Sequence, residues 1–346
     1  MRRLPFTFAL ALLVFSAGSQ PLAAWGDANH QLVARLALAS LPADFPAWAR
    51  RPEQADRLGQ LANVPDRWRN VDPWLRQAGG SWSDHFIDIE FLTLAGMEPR
   101  AVPSLRYDFI VQYTAARMLH ADRFPPLNAA KNSDHTQQWP GFVPWAMAEY
   151  YHKLRSAFAY LRAYQDLDGT PTEIDQAQRD AIYSMGVLAH YIGDCAQPLH
   201  TTMHHDGWVG ENPHGFTTRP GFHSWIDSGL AAKAGIGYGD LGPRVKPVTP
   251  HALTPGADGR DPFFIVAMEY ILAQHAMVEP LYRLEKAGAL GNGPQPVAPE
   301  GRAFVEAQLL KGAEMLARCW LTAWQTAPVD SYLRTQLAKR RAPATP

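Results

Sequence analysis

Hydrophobic positions in this chain recur at the spacing of amphipathic helices, not at the alternating spacing of strands. Six segments show the helical pattern most clearly, at residues 30–40, 105–120, 142–164, 173–197, 263–286 and 301–324. No convincing series of alternating strands and no internal repeat is visible. The pattern predicts an all-α fold with a single large helical domain over residues 25–327.

The helix predicted over residues 173–197 has the most regular pattern. Its apolar stripe consists of Ile174, Ala177, Ala181, Met185, Leu188 and Ile192. Thr172 and Asp175 are spaced like a capping pair at its start, and Pro198 is expected to end it. Segments rich in proline and glycine predict long connecting loops at residues 122–140, 201–222, 235–262 and 291–299.

The two ends of the chain differ from this helical domain. Residues 1–24 have the pattern of a secretory signal peptide, with Arg2 and Arg3 before an apolar stretch that is too short for a permanent membrane anchor. An uncleaved anchor or a buried first helix is the alternative. The pattern predicts an exported protein, periplasmic or secreted, whose mature chain starts at Trp25. Residues 328–346 are expected to form a tail that frays or lies on the surface.

Charge and cysteine content limit the classes of function. The chain has 32 basic and 33 acidic residues, which argues against a polycationic surface that wraps duplex DNA. Any grip on phosphate must therefore be local, and metal ions are one way to supply it. Cys195 and Cys319 are the only cysteines, and the sequence leaves open whether they form a disulfide.

Two pairs of residues have the spacing of metal ligands. His190 and Asp194 lie four residues apart on a predicted helix and therefore share one face, and His223 and Asp227 repeat that spacing. A single pair of this kind is usually a core histidine with a surface carboxylate. Two pairs linked by His200 instead indicate a metal site, and nitrogen and oxygen ligands without thiolates suit hydrolytic zinc.

The start of the mature chain offers another potential ligand. A free α-amine has a pKa of about 7.7–8.0, so a metal ion can displace its proton near neutral pH. The amine and carbonyl of Trp25 can close a five-membered chelate, and His30 follows five residues later.

Together these motifs resemble the zinc-dependent single-strand nucleases of fungi and plants, the nuclease S-one and P-one type, and their bacterial relatives. The resemblance rests on Trp25-Gly-x-x-x-His30, Asp66-x-x-Arg69, His85-Phe-Ile-Asp88, His190-Tyr-Ile-Gly-Asp194-x-x-Gln-Pro-Leu-His200 and His223-x-x-x-Asp227. It implies three zinc ions in a cleft. The implied ligands are Asp66, His85, His190 and Asp194 for the first ion, His200, His223 and Asp227 for the second, and Trp25, His30 and the other oxygen of Asp194 for the third.

The resemblance also implies roles beside the metal ions. Arg69 would neutralise a phosphate oxygen, and Asp88 would orient or deprotonate the attacking water. From spacing alone, a surface ion pair is the favoured interpretation of each. Phe86 would stack on a base, and Asn212 matches a phosphate contact in a loop of the relatives.

Further aromatic and polar residues have two open interpretations. Four tryptophans either extend the stacking surface or are ordinary core and rim residues: Trp68, Trp74, Trp82 and Trp208. The loop after His200 is a polar lid, a source of substrate contacts or a stray metal site, through His204, His205, Asp206 and His214.

The expected activity follows from the resemblance. It implies that water attacks phosphorus in single-stranded DNA or RNA and leaves 5′-phosphorylated products, with 3′-nucleotides as a further substrate to test and no stable protein partner. The alternative enzyme is a zinc-dependent phospholipase C that acts on phospholipid head groups. The five-residue spacing from Trp25 to His30 and the twenty-three from His200 to His223 favour the nuclease, as does aspartate at Asp227. A zinc-binding protein without turnover is the non-enzymatic alternative, but no closed Cys₄-type ligand set is present.

Overall fold

The computed structural model describes residues 26–77, 82–127, 129, 132 and 135–341. Within these residues it is helical and contains no strand, which confirms the all-α prediction. An isolated antiparallel bridge joins Ile87 and Gly141. Among the helices described, none is long and apolar enough to cross a membrane. The predicted signal peptide and Trp25 lie outside the described residues.

The α-helices are labelled α1 to α15 in chain order. They span Asp27–Ala39, Pro52–Leu61, Val64–Val71, Pro73–Gln77, Ile89–Leu94, Arg106–Leu119, Val143–Asp166, Pro171–Ala196, Phe222–Ser224, Leu230–Ala234, Tyr238–Leu241, Pro262–His275, Val278–Lys286, Pro299–Gln325 and Ser331–Arg341. Short 3₁₀ turns at Ser83–His85 and Pro198–Thr201 and a π-helical turn at Trp225–Gly229 lie between them.

The capping pair predicted for α8 is wrong by two residues. Thr170 is the N-cap: its Oγ1 accepts a hydrogen bond from the Glu173 amide at 3.2 Å, and the Glu173 carboxylate accepts one from the Thr170 amide at 2.8 Å. Pro171 decides the register, because proline has no amide hydrogen and its fixed φ suits the first helical position. Thr172 and Asp175 therefore lie inside the helix.

The helix predicted over residues 263–286 is two helices, α12 and α13. Pro280 explains the break, because an interior proline cannot bond to the carbonyl four residues earlier, here that of Ala276, and its ring clashes with that carbonyl. The chain turns at Ala276 and Met277, between the end of α12 and the start of α13.

The core is built around α8. This helix packs along α7 on one side, while α1, α2 and α14 pack against its other faces. Gly186 allows α2 to approach closely, since a Cβ at this position would lie 2.3 Å from Leu61 Cβ. The space beside Gly186 is therefore filled by α2.

The last helix and the two cysteines settle two open points. Residues 331–341, expected as a tail, form α15, which buries Leu337 and pairs Arg340 with Glu173 at 3.0 Å. Cys195 and Cys319 are both buried as free thiols.

Candidate metal centre

The centre is built on the last turns of α8. His190 and Asp194 are fully buried one helical turn apart, with 3.2 Å between His190 Nε2 and Asp194 Oδ2. The other ring nitrogen of His190, Nδ1, donates a hydrogen bond to the Ala62 carbonyl at 2.7 Å. A carbonyl can only accept, so this bond leaves Nε2 available as a ligand.

Two residues from other elements complete a first cluster. His85, from the 3₁₀ turn at Ser83–His85, places Nδ1 2.8 Å from His190 Nε2 and 3.0 Å from Asp194 Oδ2. Asp66, from α3, places Oδ1 3.8 Å from His85 Nδ1. The structure therefore brings together all four residues assigned to the first ion, although Asp66 and His85 are far from α8 in sequence.

His30 joins the centre from α1. Its Nε2 lies 3.3 Å from Asp194 Oδ1, and its ring stacks on the His190 ring with 4.2 Å between centroids. Gly193 makes this contact possible, because a Cβ there would lie 2.8 Å from His30 Nδ1. Asp194 thus directs one oxygen toward His30 and the other toward His85, as expected of a residue that bridges two ions.

A second cluster lies beyond the end of α8. His223 Nε2 is 2.9 Å from Asp227 Oδ2, and His200 Nε2 is 3.9 Å from Asp227 Oδ1. His200 Nδ1 donates to the His85 carbonyl at 2.8 Å, which directs its Nε2 toward the cluster. Asp227 lies in the π-helical turn at Trp225–Gly229, a rare geometry that is frequent at functional sites.

Hydrogen bonds around the second cluster fix its ligands. Gln197 Nε2 donates to Asp227 Oδ1 at 2.7 Å, and Gln197 Oε1 accepts from the Leu199 amide at 2.6 Å. The Asp206 carboxylate accepts from the His223 amide at 3.1 Å. No role for Gln197 is predicted from the sequence, although its place in the His190-to-His200 motif, just before the proline, is a signal.

The start of the described chain is tied to the same cluster. The Gly26 amide donates to the Asp227 carbonyl at 3.0 Å, and Asn29 Nδ2 donates to the same oxygen at 2.7 Å. Gly26 also has no room for a side chain, since a Cβ would lie 2.3 Å from Ser228 Oγ. The residue after Trp25 is therefore held at the centre.

Three groups of buried residues can each hold a metal ion: His30, His190 and Asp194; Asp66, His85 and His190; and His200, His223 and Asp227. Nitrogen and oxygen ligands about 2.0–2.2 Å from a tetrahedral ion lie roughly 3.4 Å from one another. The nearest distances within the clusters, 2.8 to 3.9 Å, bracket that value.

The hydrogen bonding of the buried ligands also fits metal ions. Buried polar atoms nearly always have a hydrogen-bond partner. In the described part of the chain, His30 Nε2, His200 Nε2, Asp194 Oδ1 and Asp227 Oδ2 are buried and make none. A cation between these atoms would satisfy them.

Proton affinities within the clusters fall into two groups. Burial, with Arg69 nearby, lowers the pKa of His85 to about 3, and burial also lowers the pKa of His200. Both imidazoles are therefore neutral near pH 7, the form that binds metal.

The other group of histidines is controlled by carboxylates. Burial alone would lower the pKa of His190, but Asp194 and Asp66 outweigh it and raise that pKa. Asp227 has the same effect on His223. A proton on these rings and a bound metal ion both balance the carboxylate charge, so metal binding is expected to release protons.

A cavity of about 360 Å³ opens beside the clusters. His85, His200 and His223 form part of its wall, together with Asp88. Asp88 is buried, and burial, reinforced by Glu90, raises its pKa well above the usual value. Asp88 belongs to none of the three clusters, so the structure separates it from the ligands, as the sequence analysis expected.

Arg69 and Phe86 also line this cavity. Arg69 is buried, and its Nη2 lies 2.6 Å from Asp66 Oδ1. Its guanidinium carbon lies 4.8 Å from the centre of the Trp82 ring. The ion pair formed by Arg69 is thus a buried one with a cluster residue, not the surface pair considered as an alternative.

Asn212 is not brought to the cavity. Its side-chain amide donates to the Phe216 carbonyl and its oxygen accepts from the Phe216 amide, both at 2.8 Å. These bonds close the loop and leave the side chain half-buried and absent from the cavity wall. The prediction that Asn212 contacts the phosphate is therefore wrong. It came from a motif match in a loop, and the sequence does not determine the geometry of that loop.

The remaining candidates divide between the cavity and other places. Trp82 and His205 line the cavity, Trp68 packs against the core, and Trp74 is exposed outside the wall. Trp208 stacks on His204 with 3.9 Å between ring centroids and so stabilises the loop after His200. The Lys286 ammonium donates to the His214 carbonyl, and Asp206 supports His223. Most of these side chains therefore stabilise the loop, while Met203, His205 and Val209 are the loop residues that line the cavity.

Comparison with protein-family models finds no match for this chain, and comparison with functionally characterised proteins finds none either. The function of this chain is therefore inferred from its own residues and the geometry of the centre.

Proposed function

We propose that this protein is a zinc-dependent phosphodiesterase that cleaves single-stranded nucleic acids to 5′-phosphorylated products. The observation that carries the proposal is the set of three buried His/Asp clusters beside a cavity with arginine in its wall. Such clusters suit metal-assisted hydrolysis, and arginine suits phosphate recognition.

Zinc is the metal that the ligand types favour. The clusters contain only imidazole and carboxylate groups, and the two cysteines are not among them. Imidazole-rich sets of three protein ligands are typical of catalytic zinc sites, where the remaining position takes water or substrate. When bound, zinc ions lower the pKa of a coordinated water and neutralise phosphate oxygens.

Arg69 and Asp88 would act on the substrate directly. Asp66 and Trp82 hold Arg69 at the cavity wall, where its guanidinium can neutralise a phosphate oxygen. Asp88 would orient the attacking water and take its proton. The raised pKa of Asp88 makes its carboxylate, once ionised, a stronger proton acceptor than an exposed aspartate.

The charge of the wall favours nucleic acid over phosphatidylcholine. Among the residues that the structure describes, the wall contains Arg69, Arg76 and Arg117 and one carboxylate, that of Asp88. Arginine attracts phosphodiesters but repels the quaternary ammonium of a choline head group. Phe86 offers an aromatic face, on which any base can stack.

Export is part of the same proposal. The hydrogen bond from Gly26 to Asp227 holds the start of the described chain at the centre, which fits a mature chain that begins at Trp25 and supplies its amine to the third ion. N-terminal sequencing of exported protein should read Trp-Gly-Asp-Ala-Asn-His. A mature chain that starts elsewhere would remove the third ion site as proposed.

The decisive experiment compares substrates and counts metal ions. Mature protein would be assayed on single-stranded DNA, RNA, a 3′-nucleotide and phosphatidylcholine, with zinc measured by elemental analysis. We expect about three zinc ions per chain and fastest cleavage of single-stranded nucleic acid. Preferential release of phosphocholine would support the phospholipase instead, and tight zinc binding with no turnover would support a binding protein.

A further inference from the structure

The cavity wall contains two arginines that the metal clusters do not explain. Arg76 lies on α4 and Arg117 on α6, so different segments of the chain bring them to the same cavity. Neither belongs to the ligand groups, and neither lies in a motif used to assign the function.

Arg117 has aromatic neighbours in place of an acidic partner. Its guanidinium carbon lies 4.0 Å from the centre of the Phe124 ring, and Nη1 lies 3.4 Å from the Tyr113 hydroxyl. Among the residues that the structure describes, no carboxylate lies within 4.0 Å of this half-buried guanidinium. Partial burial of a charge is costly without a counter-charge, so the position favours an anionic ligand.

Arg76 also lies against an aromatic ring, on another part of the wall. Its guanidinium carbon lies 4.0 Å from the centre of the Trp82 ring, the same ring that lies near Arg69. Stacking on an aromatic face pre-organises the planar guanidinium, which lowers the entropy lost when it binds phosphate. Trp82, left open by the sequence analysis as a stacking or rim residue, therefore supports two arginines.

We propose that Arg76 and Arg117 bind phosphate groups that flank the scissile phosphate, so that the site selects oligonucleotides over substrates with a single phosphodiester. This inference rests on the proposed nuclease function and adds a preference for polyanionic substrates. It also explains how a chain with nearly balanced charge can hold nucleic acid, because three arginines are concentrated in one cavity.

The flanking phosphates would act on binding more than on the chemical step. Each arginine–phosphate contact releases counterions from the strand. For a single strand, the slope of log affinity against log salt concentration therefore becomes shallower by about 0.7 for each contact that is removed. Loss of one charge-assisted contact should weaken binding by about tenfold. A substrate with one phosphodiester has no flanking phosphate and should not respond.

The test compares Arg76→Gln and Arg117→Gln with the parent on two substrates. One is a single-stranded DNA hexanucleotide, and the other is bis(4-nitrophenyl) phosphate, which has one phosphodiester and no flanking phosphate. We expect KM for the hexanucleotide to rise about tenfold in each variant, with a shallower salt dependence, and KM for the small substrate to change much less. Arg179→Gln is the matched control, because Arg179 is exposed on α8 and pairs with Asp175 at 2.8 Å.

Arg117→Lys distinguishes charge from packing. It keeps the positive charge but loses the planar group above Phe124, so we expect it to retain the salt dependence of the parent. If Arg117→Gln does not fold, Arg76→Gln decides the question with the same expected result.

Two outcomes would overturn the inference. Equal losses on both substrates would mean that the arginines only support the catalytic geometry, and unchanged KM and salt dependence would mean that no flanking phosphate is bound. If the parent cleaves neither substrate, the proposed function itself fails, which is distinct from either outcome.

Discussion

Asp194→Asn tests whether a single carboxylate holds two metal ions. The side chain has 0% exposure, and its oxygens lie 3.0 Å from His85 Nδ1, 3.2 Å from His190 Nε2 and 3.3 Å from His30 Nε2. Asparagine keeps the size but removes the negative charge and replaces one oxygen ligand with an amide nitrogen. Both ion sites that share this residue should weaken together.

The size of the effect can be estimated from binding linkage. A ligand at one hundred times its dissociation constant stabilises the folded state by about 2.7 kcal/mol. If the substitution removes that contribution at two sites, the loss is about 5 kcal/mol, or a fall in Tm of about 10 °C for a protein of this size. The difference should disappear when parent and variant are compared in a strong chelator, apart from the cost of the buried polar change itself.

Asp88→Asn is the matched control, because it makes the same change at another buried carboxyl group. Asp88 is outside the clusters, and burial raises its pKa well above normal, so a neutral amide should not lower stability. We expect full metal content, an unchanged or higher Tm and a turnover lower by about 10²–10⁴-fold.

Zinc content, Tm and turnover should be measured for both variants. Full zinc content in Asp194→Asn with a Tm within about 1 °C of the parent would refute the bridging role. Loss of zinc in Asp88→Asn would make Asp88 a ligand or its support, and normal turnover would remove it as the general base.

Three further predictions concern residues around the centre and in the scaffold. Gln197→Ala should weaken zinc binding about 10–100-fold at one site of the three, seen by competition with a chelator, because Gln197 orients Asp227. Lys233→Met should lower the free energy of unfolding by about 1 kcal/mol and speed amide exchange in residues 288–297, because the ammonium donates to three carbonyls of that loop at 2.5 to 2.7 Å. Burial lowers the pKa of His251 to about 4, so the unfolded chain binds more protons between pH 6.5 and 4 and stability falls as the pH falls. His251→Gln should reduce that fall by about 1–3 kcal/mol in denaturant titrations at the two pH values.

The sequence predicts the long helices well because each buries a regular apolar stripe. It misses the short helices α2 to α5, which span only a few turns or less and begin at proline or after irregular chain. Asp66 and Arg69 lie on one of these, α3. Periodicity has too few residues to act on in such segments, so these two residues were assigned by motif resemblance alone.

Helix geometry also decides which residues of the candidate site could be predicted from the sequence. The i,i+4 pairs at His190 and His223 could be identified because helix geometry alone brings each histidine to its carboxylate. Arg117 could not be identified, because its position at the cavity depends on how α6 packs against the rest of the fold. The prediction for Asn212 was wrong for a different reason. An amide side chain can bind phosphate, but the amide of Asn212 is hydrogen-bonded to the Phe216 carbonyl and closes the loop.

His85 has two functions in the geometry described above, since its ring belongs to the first cluster while its carbonyl accepts the hydrogen bond that orients His200 in the second. An ion that fixes the His85 ring therefore also fixes a ligand of the neighbouring site before that site is filled. Zinc uptake by the stripped protein should then be sigmoidal, and half-saturated samples should contain mostly empty and fully loaded molecules. Native mass spectrometry of such samples would show two dominant mass peaks in place of an even ladder.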